Sequence, residues 1–428
     1  MTNGFVNDLK LVYVLIDGVS DGISNLNTSP LESATTNNLD LLVQNGIMSE
    51  VMPVKKNFAP ESDIAVFNML GYNFTNHNNY PGRGVIEAIG SRIDFADGDV
   101  ALRGNFATID KNNNIIDRRA GRNINKKEAI QIANEIKDKI TFSIPGVSLA
   151  ILPTINHRIC LRIRHEGRLS GNISNTDPAY GKINGMGITN ETNIRKIKKC
   201  YALDDEINST TTAKLINEFT AKSSSIMSIS EVNTLRKLQN KKPMNCILTR
   251  DAGDRYPNLI PIEQKYGLKF SCVVDMPVEI GIAKVLKMNV NNDSKSTEYE
   301  KKAKIVLEKL KTNNVVYVHL KGPDEFGHDG DFHGKTKSIE EIDEKFFGVL
   351  VENVDVNKIA ILVSADHSTP CRNKSHSSDP VPLLLSANWV KSDSTKRFTE
   401  LQAKDYGSLK LLNGADVLKT AINLLNCK

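Results

Sequence analysis

Four short runs of apolar, largely β-branched residues punctuate the chain at 11–16, 315–320, 359–364 and 381–385. Each has the length of a buried strand rather than of a helix. Between them lie stretches with helical spacing of apolar positions, such as 297–310 and 338–351. Strands alternating with helices predict an α/β domain with a largely parallel sheet. The middle of the chain reads differently. "DVALRGNFATID", "FSIPGVSLAILP" and "HRICLRIRHEGRLS" predict strands with arginine-rich turns, and 126–139 predicts a polar helix. The pattern divides the chain into a discontinuous core, 1–90 and 296–428, and an inserted smaller α/β domain, 91–295. The polar stretch "NVNNDSKSTEYE" is the expected return linker.

In parallel sheets, ligands sit beyond the carboxyl ends of strands. Three of the four runs end in ionisable groups. "LVYVLIDG" ends in Asp17. "VVYVHLKGPDEFGHDGD" ends in Asp324, with His328 four residues on and so on the same helical face. "IAILVSADH" ends in Asp366 and His367. A strand-end Asp is often only a turn former, and a charged loop is often only solvated. Three such ends on buried strands point instead to a metal site, since Asp and His together suit Zn, Mn or Mg. His376 follows in "KSHSSDPVP". His77, His165 and His319 read as ordinary histidines, and His333 as a weak supporting candidate. Ser62 in "APESDIAVFNMLGY" stands where a helix begins. It reads either as an N-cap or as a nucleophile, because helix N-termini and bound metals both stabilise an oxyanion.

Composition narrows the class. The 428 residues are 40% hydrophobic and 25% charged, ordinary for a globular protein. The net charge of +5 is small and dispersed, which argues against nucleic-acid binding. No apolar run is long enough to span a bilayer, and the N-terminal stretch has no signal-like pattern. Six scattered cysteines without a CxxC pair predict reduced thiols and a cytoplasmic setting.

Taken in order, "LIDGVSD", "SPLESATTNNLDLLVQNGIMSEV", "APESDIAVFNMLGY", "PGRGVIEAIG", "LRGNFATID", "DRRAGR", "HDGD" and "ADHSTPCRNKSHSSDPVPLL" resemble the archaeal-type 2,3-bisphosphoglycerate-independent phosphoglycerate mutases. That family lies within the alkaline phosphatase superfamily, and the likeness runs from about residue 10 to 425. It implies an alkaline-phosphatase-like core and interconversion of 3-phosphoglycerate and 2-phosphoglycerate, a step of glycolysis and gluconeogenesis. It also implies two divalent ions (Mn, Zn, Co or Mg) and no 2,3-bisphosphoglycerate. One ion would be held by Asp324, His328 and His376. The other would be held by Asp17, Asp366 and His367, with Ser62 as ligand and as the nucleophile that becomes phosphorylated.

The insert would act as a substrate-binding lid. Guanidinium forks match both the carboxylate and the phosphate of a phosphoglycerate. The candidates are Arg118, Arg119 and Arg122 of "DRRAGR", and His157 with Arg158 of the arginine strand, where Arg158, Arg162 and Arg164 share one face. Arg83 carries less weight. His157 is the candidate for handling a hydroxyl proton or the phosphoryl group. The chain departs from the family pattern at "RDAGD" (250–254), where the family has "RGAG". It departs again at "NVNNDSK", and at "VVDMPVEIGIAK", which lacks an expected glycine. These departures are expected to lie away from the metal ligands. A phosphomonoesterase or a phosphonopyruvate-acting enzyme of the same superfamily, or a non-catalytic metal-binding regulatory protein, are the competing readings. The oligomeric state is open.

Overall fold

A computed structural model describes residues 9–22, 28–74, 80–183, 186–189 and 195–426. The chain divides into two compact units, Met1–Asn76 with Leu259–Lys428, and His77–Asn258.

The first unit is built on an eight-stranded sheet. Its strand order is Asn289–Asn291, Phe270–Val273, Val315–Leu320, Lys10–Ile16, Ile359–Ala365, Val381–Ser386, Gly46–Met52 and Leu412–Asn413. Pairings are parallel except those of Val381–Ser386, which runs against both neighbours. The three central strands are wholly apolar or nearly so and buried on both faces, as parallel strands covered by helices must be. Their register fixes the site. Ile16 pairs with Leu320 on one side and with Ala365 on the other. Asp17, Lys321 and Asp366 therefore leave the sheet at equivalent positions.

The second unit carries a five-stranded sheet that is antiparallel throughout. Val100–Ile109 is its hub, pairing with Arg158–Arg164, Cys246–Gly253 and Ile115–Asp117, while Ser148–Pro153 pairs with Arg158–Arg164. One face packs Leu102, Phe106, Ile159, Leu161 and Ile247 into a core with residues of the helices Lys126–Lys139 and Ile207–Ser228. The other face carries Ala101 and Cys160 against Val85 and Ala88 of the helix Arg83–Gly90.

The unit boundaries differ from the expected 90/91 and 295/296. Residues 77–90 go with the second unit, because the helix Arg83–Gly90 covers that unit's sheet. Residues 259–295 go with the first, because Phe270–Val273 and Asn289–Asn291 extend its large sheet. A four-residue and a three-residue strand carry too little periodicity to be assigned from sequence.

Candidate active site

In the first unit, two triads form at the carboxyl ends of the central strands. Ligand atoms of Asp324, His328 and His376 lie within 4.8 Å of one another, as do those of Asp17, Asp366 and His367. Asp17 follows its strand directly, and the turn depends on Gly18 at φ +57°. A Cβ there would meet Thr369 Oγ1 at 2.6 Å and Asp324 Oδ1 at 2.8 Å. Asp324 lies in the first turn of the helix Pro323–Asp329, with His328 one turn on. Asp366 and His367 follow the Ile359–Ala365 strand, and His376 lies on the return to the antiparallel strand.

Each histidine is oriented by its second nitrogen. His376 Nδ1 pairs with the Pro60 carbonyl at 2.7 Å, and His328 Nδ1 with the Lys374 carbonyl at 3.1 Å. His367 Nδ1 lies 3.1 Å from Thr369 Oγ1, which donates to Asp324 Oδ1 at 2.7 Å. A carbonyl partner fixes the Nδ1–H tautomer and leaves Nε2 free to coordinate. His376 Nε2 and His328 Nε2 each sit 3.5 Å from an oxygen of Asp324. His367 Nε2 sits 3.4 Å from both Asp17 Oδ1 and Asp366 Oδ2.

Burial and neighbouring charge set the electrostatics of this cluster. Burial, reinforced by Asp17, pushes the Asp366 carboxyl well above its ordinary value. Burial, with His376 alongside, pushes the His367 imidazole down to about 3. His376 goes the other way: Asp324 outweighs burial and raises it to about 9. Asp17 Oδ1 and Asp366 Oδ2 are buried without a hydrogen-bond partner. Two orphaned carboxylate oxygens facing an unprotonated imidazole suit a divalent cation. The residues present therefore match two metal ions.

Ser62 lies beside this cluster. It is the first residue of the helix Ser62–Met69, and Glu61 occupies the cap position. The capping alternative is thus set aside, and Ser62 Oγ instead lies 3.2 Å from His367 Nε2.

Of the other histidines, His165 is half-buried and His333 exposed, and His77 lies outside the described residues. His319, expected to be ordinary, lies beside the second triad. It is fully buried, with Nε2 3.6 Å from Asp366 Oδ2 and Nδ1 3.0 Å from the Tyr317 hydroxyl. Its place inside an apolar strand hid it from sequence reasoning.

The second unit gathers guanidinium groups on the face covered by the helix Arg83–Gly90. Arg103 lies directly across the sheet from Arg250, and Arg158 pairs with Asn105 two positions along. Like charges in directly opposed positions repel. Buried carboxylates offset part of this. Glu87 Oε1 lies 2.8 Å from Arg103 Nε and 3.2 Å from Arg83 Nε. Asp251 Oδ2 lies 3.5 Å from Arg103 Nη1 and 3.4 Å from Arg250 Nε. Burial pushes the Glu87 carboxyl up, but Arg103, Arg83, Arg158 and Arg250 together hold it below its ordinary value. Asp251 is the residue that breaks the "RGAG" pattern. It adopts φ +59°, a left-handed conformation that Asp tolerates better than most side chains.

The Arg158 side chain makes no hydrogen bond or ion pair among the described residues, and burial, then Arg103, lower its pKa against the pull of Glu87. Its neighbour His157 is held neutral: burial, then Arg158 and Arg250, push it down to about 3. His157 Nδ1 is buried without a partner. Other candidates are committed elsewhere. Arg118 forms a two-pronged pair with Asp177, at 3.1 and 2.5 Å. Arg162 and Arg164 share Arg158's face as expected, yet both turn to Asp94 and Asp99. The backbone N–H of Arg119 donates to Asp117, and Arg122 adds positive charge near His157. Arg103, Arg250 and Glu87 were not singled out from sequence. Inward alternation of Arg103 along its strand was the available signal.

Known proteins share this arrangement of chain. A family model for 2,3-bisphosphoglycerate-independent phosphoglycerate mutase matches residues 44–233. A protein of that name from Aeropyrum pernix is 35% identical over 430 residues, covering 97% of this chain and 100% of its own. The chain belongs to this family. A second such mutase, from Archaeoglobus fulgidus, is 34% identical and spans 98% of both chains. Among solved structures, a Pyrococcus horikoshii protein superposes with a TM-score of 0.77 at 26% identity, covering 98% of each chain. The cofactor-independent phosphoglycerate mutase of Thermoplasma acidophilum does so with 0.60 at 26% identity, covering 97% and 99%. This phosphoglycerate mutase thus has an α/β core like that of its solved relatives, and the enzyme is an isomerase acting on a small phosphoglycerate. Among the described residues no helix is long and apolar enough to cross a membrane. The described cysteines 160, 200, 246, 272 and 371 are free and buried, and Cys427 lies outside the described residues.

Proposed function

We propose that this mutase interconverts 3-phosphoglycerate and 2-phosphoglycerate through a phosphoserine at Ser62. The observation that carries the reading is the position of Ser62 Oγ, 3.2 Å from His367 Nε2 and at the start of a helix. Asp324, His328 and His376 would hold one divalent ion, and Asp17, Asp366 and His367 with Ser62 the other. When bound, the two ions neutralise phosphoryl oxygens and ease loss of the Ser62 hydroxyl proton. Ser62 then attacks phosphorus in line, and the glycerate leaves as an alkoxide that must gain a proton.

Arg158, flanked by Arg103, Arg83 and Arg250, holds the glycerate carboxylate, and Arg122 adds to the positive field around His157, whereas Arg118 is neutralised by Asp177. The proton that Ser62 loses balances the one the leaving glycerate oxygen gains, and His157, neutral at pH 7, would accept the 2-hydroxyl proton as the phosphoryl group rejoins. In this reading the second unit is the substrate-binding lid. It retains glycerate while Ser62 is phosphorylated, which separates a mutase from a phosphatase. The test is the purified protein with 3-phosphoglycerate and Mn²⁺, assayed for 2-phosphoglycerate and for free phosphate. Conversion without phosphate release is expected. Phosphate and glycerate as the main products would overturn the mutase reading in favour of a phosphomonoesterase.

A further inference from the structure

Behind the second triad lies a buried charge chain that the proposed chemistry does not use. Lys321 Nζ sits 2.8 Å from Asp17 Oδ2 and 2.6 Å from Glu279 Oε1. Glu279 is 1% exposed and Asp17 6%. Glu279 comes from the helix Pro277–Val285, inside the "VVDMPVEIGIAK" stretch that departs from the family pattern. That stretch was expected to lie far from the metal ligands. It instead ends one ion pair away from Asp17. His319 Nδ1 lies 3.8 Å from the same Glu279 oxygen.

The two oxygens of Asp17 have different fates. Oδ2 receives the Lys321 ammonium, whereas Oδ1 is buried, has no hydrogen-bond donor and lies 3.4 Å from His367 Nε2. A carboxylate on a short side chain rotates about χ2 with little resistance. Pinning one oxygen therefore decides where the other points. Lys321 cannot do this alone. A buried ammonium next to a cation site needs a compensating charge, and Glu279 supplies it from the opposite side. Register makes the arrangement rigid, because Lys321 and Asp17 leave adjacent parallel strands at equivalent positions.

We propose that Lys321 and Glu279 are positioning residues that turn Asp17 Oδ1 toward the cation of the Asp17–Asp366–His367 triad. The inference rests on the two-metal reading above. Its test is the double variant K321M/E279Q in the full chain. Removing one positive and one negative charge leaves the local balance unchanged, so altered metal binding reports orientation rather than net charge. Free Mn²⁺ is followed by electron paramagnetic resonance during titration of the chelator-stripped protein, with thermal unfolding in parallel. The expected result is two Mn²⁺ sites in the wild type. In the variant, one is weakened by about 10- to 100-fold, the usual effect of losing a residue that orients a ligand, while the other changes by much less. Two sites of wild-type affinity in the variant would overturn the inference while leaving the two-metal reading intact. Equal weakening of both sites together with a lowered melting temperature would also overturn it, by showing a merely structural pair. Failure of the wild type itself to bind two ions would overturn the two-metal reading instead. Should the double variant not fold, K321R serves in its place. It keeps the charge but moves the donor, and the same selective weakening is expected.

Discussion

The metal-ligand cluster of the first unit and the arginine face of the second solve opposite problems. In the first, each group is tied in place. Carbonyls, a threonine hydroxyl and a lysine hold the imidazoles and carboxylates, and only inward-facing ligand atoms are left over. In the second, cations are crowded together, and the guanidinium of one of them, Arg158, has no hydrogen-bond or ion-pair partner among the described residues. A cation would complete the first arrangement and an anion the second. Preorganisation of this kind lowers the cost of binding, because little must move when the guest arrives.

The largest effect expected is at Ser62. Ser62→Ala should abolish phosphoryl transfer, and mass spectrometry should find no phosphoserine. Since Ser62 is not the helix cap, stability should fall by less than the about 1 kcal/mol of a lost cap. Near-normal turnover in this variant would break the covalent reading.

Next come the ligands. Asp324→Ala and Asp366→Ala should each lose at least one bound ion, measured by elemental analysis, and turnover should fall with it. Full metal content in either variant would dissolve the contrast between the two regions. Arg158→Ala should slow turnover roughly tens- to thousands-fold, matching the about 2–5 kcal/mol lost when one partner of a desolvated charged contact is truncated. It should also raise the fraction of substrate hydrolysed to glycerate and phosphate. Arg164→Ala sharpens the point from the same strand face. That side chain is already paired with Asp94 and Asp99 and is 37% exposed, so its loss should leave turnover within about threefold and cost under about 1 kcal/mol. Equal effects of the two arginines would mean that strand position, not pairing, decides function.

The smallest effect is a pH dependence of stability. The folded chain keeps His157 neutral down to about pH 3, against an ordinary value of 6.5. Between those values the unfolded chain binds a proton that the folded one refuses, so acid favours unfolding across that window. His157→Gln should flatten the fall in stability from about pH 6.5 toward pH 3. An unchanged slope in chemical denaturation would show that His157 is not held neutral by its arginine neighbours.

The two candidate triads were legible in sequence as residues because each begins at a strand end. An apolar run followed by Asp is visible in a single line of residues, and in-register parallel strands then bring three such ends together. The resemblance added His376, whose return loop no periodicity would reveal. What stayed hidden depended on neighbours distant in sequence. Arg103 meets Arg250 only because two strands pair antiparallel, and strand direction leaves no mark on an alternating pattern. The reversed run of Val381–Ser386 was legible as a strand for its apolar residues but not for its direction. His319 and Glu279 sit in stretches whose apolar neighbours signal core and nothing more. The unit boundaries moved because two very short strands extend the large sheet and because the helix Arg83–Gly90 packs on the second unit's sheet.

The stacking of His367 on His376, with ring centroids 3.7 Å apart, joins the two triads through a common wall. Thr369 adds a second bridge, from His367 Nδ1 to Asp324 Oδ1. Two guests that share a wall are not independent. Filling one site fixes a ring against which the other is built, so the free energies of loading are coupled, and by linkage each ion must alter the other's affinity by the same factor. An affinity measured at one site would then depend on whether the other is filled, so the two loading steps would have to be titrated as a pair.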